Sequence, residues 1–232
     1  MTQQIPNYGK AFSMLRAGCE TKWEAYIAHD FVSELGKGAL PQASFLHYMV
    51  QDYVYLVHYA RAWALGVVKA ESIEEMRLCA ATVDSLINKE FSLHIQTCAA
   101  QGIEEKSLYT ASEELETIAY TRYVLDAGLQ GDFLDLLLAL APCAFGYGEI
   151  GIRLKDQVYS GHPYEKWINT YAGEDFQNVC ISVGNLLDMA IASRVGDAPH
   201  ESPRWQKMQA RFTKAAELEA NFWSMGLRAG KQ

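Results

Sequence analysis

Residues 41–69 read PQASFLHYMVQDYVYLVHYARAWALGVVK, and this stretch decides the fold class. Pro41 stands where a first helical turn begins, and no further proline occurs before Pro142. Apolar side chains recur every three or four residues from Phe45 to Trp63, which is the spacing of one helix face. Because alternating strand patterns with Asn-Gly turns are absent from the chain, we predict a helix over 41–69 and an all-α protein.

The rest of the chain repeats this helical pattern between glycine- and proline-containing breaks. The 232 residues contain no internal repeat and no linker of disordered composition. We therefore predict a single helical domain over residues 1–232. The predicted helices span 7–29, 41–69, 72–100, 111–129, 131–159, 174–195 and 203–228.

Composition and charge argue against several classes of partner. The 20 basic and 28 acidic side chains give a net charge of −8 without any Lys/Arg run, which disfavours nucleic-acid binding. The longest apolar stretch, around Leu136–Gly148, is broken by Pro142 and is shorter than the roughly 18 residues of a membrane span. The amino terminus lacks a secretory signal, and the five scattered cysteines suit a reducing compartment, so we expect a cytoplasmic protein without a membrane partner.

Ionisable side chains interrupt three of the apolar stripes. Asp52 and Glu219 each take one core position of a predicted helix, and Glu90 and His94 take two successive ones. Since a buried carboxylate needs a partner or a proton, these interruptions predict one shared polar pocket. The alternative is a register error of one residue that leaves the acids in solvent. The third predicted stripe comprises Ile73, Met76, Ala80, Val83, Ile87, Glu90, His94 and Thr97.

Cys143 is the candidate nucleophile. It follows Pro142, which removes a helical hydrogen bond and leaves the carbonyl of Leu138 without its usual donor. Tyr147 lies four residues further on and therefore on the same helix face. The alternative is a buried, inert thiol, and Cys19, Cys98 and Cys180 fit that description better, because each falls on or beside an apolar stripe. Cys79 has no candidate functional residue beside it.

Two motif matches in the sequence lack their structural context. Residues 146–151 (GYGEIG) match a dinucleotide-binding pattern, but no strand precedes them, so we interpret the glycines as helix-packing positions. Residues 200–204 (HESPR) lack the second histidine of a zinc-binding helix.

Aromatic side chains accompany the predicted buried acids. Tyr55 follows Asp52 by three residues, and Phe222 follows Glu219 by three. Such residues are usually core or interface residues. Beside carboxylates they also suit a pocket for a flat, nitrogen-bearing ring. Further phenols in neighbouring segments are Tyr120, Tyr123 and Tyr171.

A series of motifs, in order along almost the whole chain, resembles the TenA family (thiaminase II, aminopyrimidine aminohydrolase). The motifs are residues 29–41 and 45–56, Glu90-Phe-Ser-Leu-His94, Ala119-Tyr120-Thr121, Pro142-Cys143, Tyr147-Gly-Glu149, Gly161-His-Pro163, Lys166-Trp167 with Tyr171, and Glu219-x-x-Phe222-Trp223-x-Met225. The resemblance implies a haem-oxygenase-like helical bundle, typically assembled as a homotetramer.

The resemblance also implies a reaction and a set of site residues. Cys143 becomes the nucleophile and Glu219 the acid/base. The implied substrate is a small aminopyrimidine, 4-amino-5-aminomethyl-2-methylpyrimidine, which yields the hydroxymethyl product and ammonia, with thiamin cleavage as a secondary activity. Neither a cofactor nor a metal is implied. The residues that line the pyrimidine pocket are Asp52, Tyr55, Tyr120, Tyr147, Tyr171 and Phe222.

Departures from the family pattern and two rival functions remain open. Ala144-Phe145-Gly146 and Ala220 are smaller than common family residues, which affects pocket size and the preferred leaving group. Glu90 and His94, spaced i and i+4, would suit a di-iron oxidase, but we interpret them as a structural polar pair because no Glu-x-x-His motif occurs. A non-catalytic regulatory protein is the second rival.

Overall fold

The computed structural model describes residues 5–230, which contain helices and no strand. A π-helical turn, Leu86–Glu90, separates α5 from α6, and short 3₁₀ turns occur at Lys155–Gln157 and Pro199–Glu201. The all-α prediction is confirmed. The α-helices are α1 (Lys10–Ala17), α2 (Glu20–Ile27), α3 (Asp30–Gly36), α4 (Gln42–Lys69), α5 (Ile73–Ser85), α6 (Phe91–Ala99), α7 (Glu105–Tyr109), α8 (Leu115–Gln130), α9 (Phe133–Leu154), α10 (Glu165–Ala172), α11 (Glu174–Arg194) and α12 (Trp205–Ala229).

The helices group into two compact units, each made of separated chain segments. Unit one comprises Met1–Leu40 and Ala141–Trp223, and unit two comprises Pro41–Leu140 and Ser224–Gln232. Neither unit is one continuous stretch, so the chain is not two successive domains. The prediction of one domain over 1–232 stays a prediction.

The longest predicted stripes lie where the sequence placed them. Helix α4 begins directly after Pro41, and its apolar face from Phe45 to Trp63 is buried together with Asp52. In α12 the stripe from Met208 through Phe212 to Glu219 is buried in the same way. Both carboxylates therefore occupy core positions, as predicted.

The amino-terminal third is more divided than the sequence predicted. The predicted helix over 7–29 is two helices, because α1 ends at Ala17 and α2 begins at Glu20. Helix α3 follows at once, and the ring nitrogen Nδ1 of His29 accepts the backbone N–H of Phe31 at 3.1 Å to cap it. Helices α3, α7 and α10 are five to eight residues long and were not predicted, since two turns carry too little periodicity.

The predicted stripe of the third helix is wrong over its first half. Ile73, Met76 and Ile87 are 60%, 37% and 53% exposed. The π-helical turn inserts an extra residue and so changes the face that points inward. Buried residues of α5, the π turn and α6 include Glu75, Cys79, Leu86, His94 and Cys98.

Helix α9 is the most apolar element of the chain. The segment Phe133–Gln157 is long and apolar enough to cross a bilayer, but its most apolar stretch of 18 residues is 94% buried inside the protein. Burial of this kind is typical of a core helix. Helix α9 continues through Pro142 without a break and carries both Cys143 and the glycines of residues 146–151.

Candidate functional site

Cys143 differs from the other cysteines in its exposure. It is partly exposed on α9, whereas the other four thiols are buried. Burial raises the pKa of Cys79 to about 12 and that of Cys98 to about 11, and it also raises the pKa of Cys19 and Cys180. The four buried thiols are thus poor nucleophiles at neutral pH, and Cys143 is the reachable one.

An aromatic cluster surrounds Tyr147, one helical turn after Cys143. The Tyr147 ring lies 4.9 Å from the Tyr171 ring, 5.3 Å from the Trp223 ring and 5.9 Å from the Trp167 ring, measured between centroids. All four side chains are buried. Tilted and edge-to-face contacts of this kind fix the rings in place and build a rigid apolar wall.

Helix α12 carries Glu219, the acid/base residue predicted from the sequence. Glu219 is 2% exposed, and Phe222 is buried as well. Trp223 lies one turn after Glu219, so its contact with Tyr147 joins the segments that carry the predicted acid and the predicted nucleophile. Glu219 is therefore a carboxyl group in the core of unit one, as its place in the apolar stripe predicted.

The glycines after Cys143 are helix-packing positions, as predicted. A Cβ atom at Gly146 would overlap the ring of Tyr26, and one at Gly151 would overlap the backbone of Tyr171. At Gly148 it would stand 2.6 Å from the sulfur of Cys180. Helix α9 therefore accepts close neighbours on the stretch that follows Cys143.

A buried ion-pair network fixes the carboxyl-terminal part of α9. Glu149 is fully buried and accepts hydrogen bonds from Arg16, Trp23 and Arg153 at 2.8–3.0 Å. Glu24 pairs with both arginines from the more exposed side. Two of these partners lie on α1 and α2, so the network joins these helices to α9 six residues after Cys143.

In unit two, the side chains of Tyr48 and His94 contact Asp52. The Tyr48 hydroxyl donates to Asp52 Oδ2 at 2.9 Å, and His94 Nε2 lies 2.7 Å from the same oxygen. His94 Nδ1 lies 3.0 Å from the backbone carbonyl of Glu90. His94 therefore contacts both the Glu90 backbone and the Asp52 carboxylate. The predicted structural polar pair of Glu90 and His94 stays a prediction. The π turn at Leu86–Glu90 sets this arrangement.

Three stacked phenols lie near Asp52 in the same unit. The Tyr55 ring stacks on Tyr120 at 4.8 Å and on Tyr59 at 5.4 Å. The Tyr59 hydroxyl donates to the carbonyl of Leu140 at 3.1 Å, which anchors one end of the stack. Flat, fixed rings of this kind present the faces that an aromatic ligand packs against.

The structure thus sorts the predicted site residues into two sets. Cys143, Tyr147, Tyr171, Glu219 and Phe222 belong to unit one, and Asp52, Tyr55 and Tyr120 belong to unit two. That both sets line one pocket stays a prediction from the sequence. Sequence reasoning missed Tyr48 as a partner of Asp52 and Glu149 as a network centre, although a glutamate within an Ala/Leu/Gly-rich helix was a usable signal for the second.

The described residues offer little for the di-iron alternative. Between residues 5 and 230, no group of three or more His, Cys, Asp or Glu side chains is arranged to hold a metal ion. Both ring nitrogens of His94 face protein oxygens. His94 therefore acts in this fold as a hydrogen-bond partner of Asp52.

Comparison with known sequences decides the family. Residues 16–229 match the profile of the TENA/THI-4/PQQC family. The chain belongs to this family. Its sequence motifs and its all-helical fold agree with the assignment.

Named relatives and solved structures cover nearly the whole chain. The aminopyrimidine aminohydrolase of Halalkalibacterium halodurans is 34% identical over 88% of this chain and 89% of its own length. An uncharacterized protein of Haemophilus influenzae is 41% identical, over 88% and 93% respectively. A crystal structure described as a TenA family transcription regulator, from Silicibacter sp. TM1040, superposes with a TM-score of 0.92 at 51% identity, over 95% of this chain and 97% of its own.

Proposed function

We propose that this TenA family member is an aminopyrimidine aminohydrolase. Its substrate is a pyrimidine with an amine on an exocyclic methylene, 4-amino-5-aminomethyl-2-methylpyrimidine, and its products are the hydroxymethyl compound and ammonia. The observation that carries the proposal is the partly exposed Cys143 beside a buried aromatic wall that also joins the buried Glu219. The relative of that name at 34% identity supports it.

The reaction begins with addition of the Cys143 thiolate to a ring carbon. The sulfur–carbon bond forms as a ring π pair moves onto the adjacent nitrogen, which takes a proton from Glu219. The ring is then electron-rich, and the lone pair of its amino group expels the protonated exocyclic amine as ammonia. This leaves an unsaturated, electrophilic methylene.

Water completes the cycle. Its oxygen bonds to the methylene carbon, and one water proton passes to a base. Glu219 takes back the ring-nitrogen proton as the carbon–sulfur bond breaks, which restores the aromatic ring and the thiolate. Splitting one hard displacement into addition and elimination steps is the usual benefit of a covalent nucleophile.

The remaining predicted residues hold the ring. Asp52 accepts a hydrogen bond from the amino group of the pyrimidine, and the Tyr55–Tyr120 stack supplies a face for it. Tyr147, Tyr171 and Phe222 form the second aromatic group. A site of this composition binds a neutral, planar heterocycle and gives little attraction to a large anion.

Removal of the nucleophile is the first test. Cys143→Ser should abolish ammonia release while the variant still binds the hydroxymethylpyrimidine product, because the ring contacts remain. Cys79→Ala, which removes a buried thiol on α5, is the matched control and should keep most of the activity. Substantial turnover by Cys143→Ser would remove Cys143 from the mechanism.

The acid is tested through the pH dependence of the rate. Glu219→Gln should slow turnover by roughly 10²–10⁴, the usual contribution of general acid–base catalysis. The limb of the pH–rate profile that reports this group should vanish in the variant. A profile of unaltered shape would assign the proton transfers to another group.

A regulatory role is the second candidate, because the structure from Silicibacter is described as that of a transcription regulator. The net charge of −8 makes direct DNA binding unfavourable. Purified protein that binds a DNA fragment at physiological salt and releases no ammonia would favour this role over the hydrolase.

The assembly and location remain proposals as well. We infer a homotetramer and a cytoplasmic location from the family resemblance and the cysteine pattern. Light scattering coupled to size-exclusion chromatography measures the first directly, with about 104 kDa expected from four chains of 26.0 kDa.

A further inference from the structure

The side-chain amide of Gln177 on α11 bridges separate segments of unit one. The amide nitrogen Nε2 donates to the backbone carbonyls of Gly148 and Tyr171, at 3.1 Å and 2.8 Å. The amide oxygen Oε1 accepts the hydroxyl of Tyr8 at 2.6 Å. Because Gly148 lies on α9, Tyr171 in the last turn of α10 and Tyr8 before α1, this amide ties α11 to three other parts of the chain.

The partners fix the orientation of the amide. A backbone carbonyl only accepts hydrogen bonds, so the two carbonyls require the NH₂ group on their side, and both of its hydrogens are used. The amide oxygen then faces Tyr8, whose hydroxyl donates. Burial raises the pKa of Tyr8, so the hydroxyl keeps the proton that it donates. The site thus requires two donors and one acceptor on a neutral side chain.

One of these hydrogen bonds holds the backbone of Tyr171. Tyr171 stands in the last turn of α10, where backbone carbonyls need partners from outside the helix, and Gln177 supplies one. The backbone of Tyr171 also lies so close to α9 that a Cβ atom at Gly151 would overlap it. Gln177 therefore anchors Tyr171 against the helix that carries Cys143.

The ring of Tyr171 depends on the same anchor. Its centroid lies 4.9 Å from that of Tyr147, and the ring of Phe176 meets it edge-on at 4.8 Å. Since Phe176 directly precedes Gln177, helix α11 contacts both the ring and the backbone of Tyr171. A displacement of this backbone would move the ring relative to Cys143.

We propose that Gln177 is a positioning residue that holds the Tyr171 ring in place beside the Cys143 helix, where the ring packs against the ligand. This inference rests on the proposed function, in which Tyr171 lines the pyrimidine pocket, and adds a residue that acts on the ligand through Tyr171. A ring that contacts the ligand equally before and during the reaction contributes to binding and not to the chemical step. Loss of the anchor should therefore raise KM and leave kcat nearly unchanged.

The kinetics of ammonia release separate this role from a structural one. Gln177→Met keeps the length of the side chain but removes all three hydrogen bonds, and it should raise KM roughly 3- to 30-fold with less than about a twofold change in kcat. Gln209→Met is the matched control, because the Gln209 amide donates to the backbone carbonyl of Leu15 at 2.9 Å in the same unit, and its KM should not change. A lower kcat with an unaltered KM in Gln177→Met would show a purely structural role and overturn the inference.

A variant of unchanged shape tests the two donors. Gln177→Glu keeps an acceptor for Tyr8 but turns an oxygen toward the two backbone carbonyls, so it should raise KM as Gln177→Met does. Tyr8→Phe leaves both donors in place and should raise KM by about threefold or less. A larger effect of Tyr8→Phe than of Gln177→Glu would contradict the anchor at Tyr171.

A double-mutant cycle tests the route through the ring. Tyr171→Leu lacks the ring, so Gln177→Met added to it should cause no further loss of affinity for the hydroxymethylpyrimidine product in calorimetry. If Gln177→Met weakened binding equally with and without the Tyr171 ring, Gln177 would not act through it and the inference would be wrong.

A measurement without ligand keeps the two proposals apart. In protein labelled with 3-fluorotyrosine, the fluorine signal of Tyr171, assigned through its loss in Tyr171→Phe, should shift in Gln177→Met and stay in place in Gln209→Met. An unmoved signal in Gln177→Met would overturn the inference. If the unaltered protein neither released ammonia nor bound the hydroxymethylpyrimidine, the proposed function would fail, and the fluorine spectra would still decide whether Gln177 positions Tyr171.

Discussion

Replacing Glu149 by glutamine removes the charge at the centre of the buried network in unit one. The carboxylate receives four N–H groups, two from Arg16 and one each from Trp23 and Arg153. In the variant, an amide NH₂ group would face guanidinium donors, and one acceptor oxygen would remain for all of them. The shape of the side chain is unchanged, so the effect is electrostatic.

The size of the effect follows from burial. Breaking a buried ion pair from one side costs about 3–5 kcal/mol, because it leaves an uncompensated charge inside the protein. The Arg16 and Arg153 side chains are 6% and 10% exposed, and Glu24 still pairs with both. We therefore expect a loss near the lower end, about 3 kcal/mol, or a fall in Tm of roughly 6–12 °C for a chain of this length.

Urea unfolding of matched variants measures this loss. Glu24→Gln is the control, because Glu24 pairs with the same arginines but its side chain is 41% exposed. Screening by solvent limits its expected cost to about 1 kcal/mol or less. If Glu149→Gln cost no more than Glu24→Gln, the reasoning from burial would be refuted.

Two further predictions concern backbone packing and pH. Gly184→Ala should destabilise the protein by about 1–3 kcal/mol in urea unfolding, because the new Cβ overlaps the backbone carbonyl of Tyr8. Gly102→Ala is the control: its new Cβ meets no atom within 4 Å, so it should cost only the strain of the positive φ at this position, about 1 kcal/mol. An equal cost at both sites would contradict the packing argument. Because the folded-state pKa of His94 is raised, its contribution to stability is fully present below the unfolded pKa of about 6.5 and is lost as the pH rises through the folded-state value. Asp52→Asn should flatten this part of the curve of stability against pH. An unchanged curve would show that Asp52 does not cause the raised pKa of His94.

The sequence predicted the long helices well because they repeat the same pattern over many turns. Helix α4 was predicted as 41–69 and runs from Gln42 to Lys69. The buried carboxylates Asp52 and Glu219 were found because each interrupts a stripe that is otherwise apolar. A single polar residue in a long apolar pattern is a strong local signal.

Other features of the site depend on contacts between distant residues and were not predictable in this way. The contact of His94 with Asp52 was not predicted, since four-residue spacing is visible in a sequence and a contact across 42 residues is not. The network around Glu149 draws Arg16 and Trp23 from more than 120 residues away. Contacts of this kind depend on how the helices pack against one another, and the periodicity of a single segment does not show that.

The π-helical turn at Leu86–Glu90 determines which way the following helix faces. Each residue of an α-helix turns the chain by about 100°, so an added residue rotates everything after it by that amount. Deleting one residue from this turn would restore regular winding and swing the imidazole at 94 out of reach of Asp52. The contact between His94 and Asp52 therefore depends on a single extra residue in the preceding turn, and a one-codon in-frame deletion there would remove it without changing either side chain.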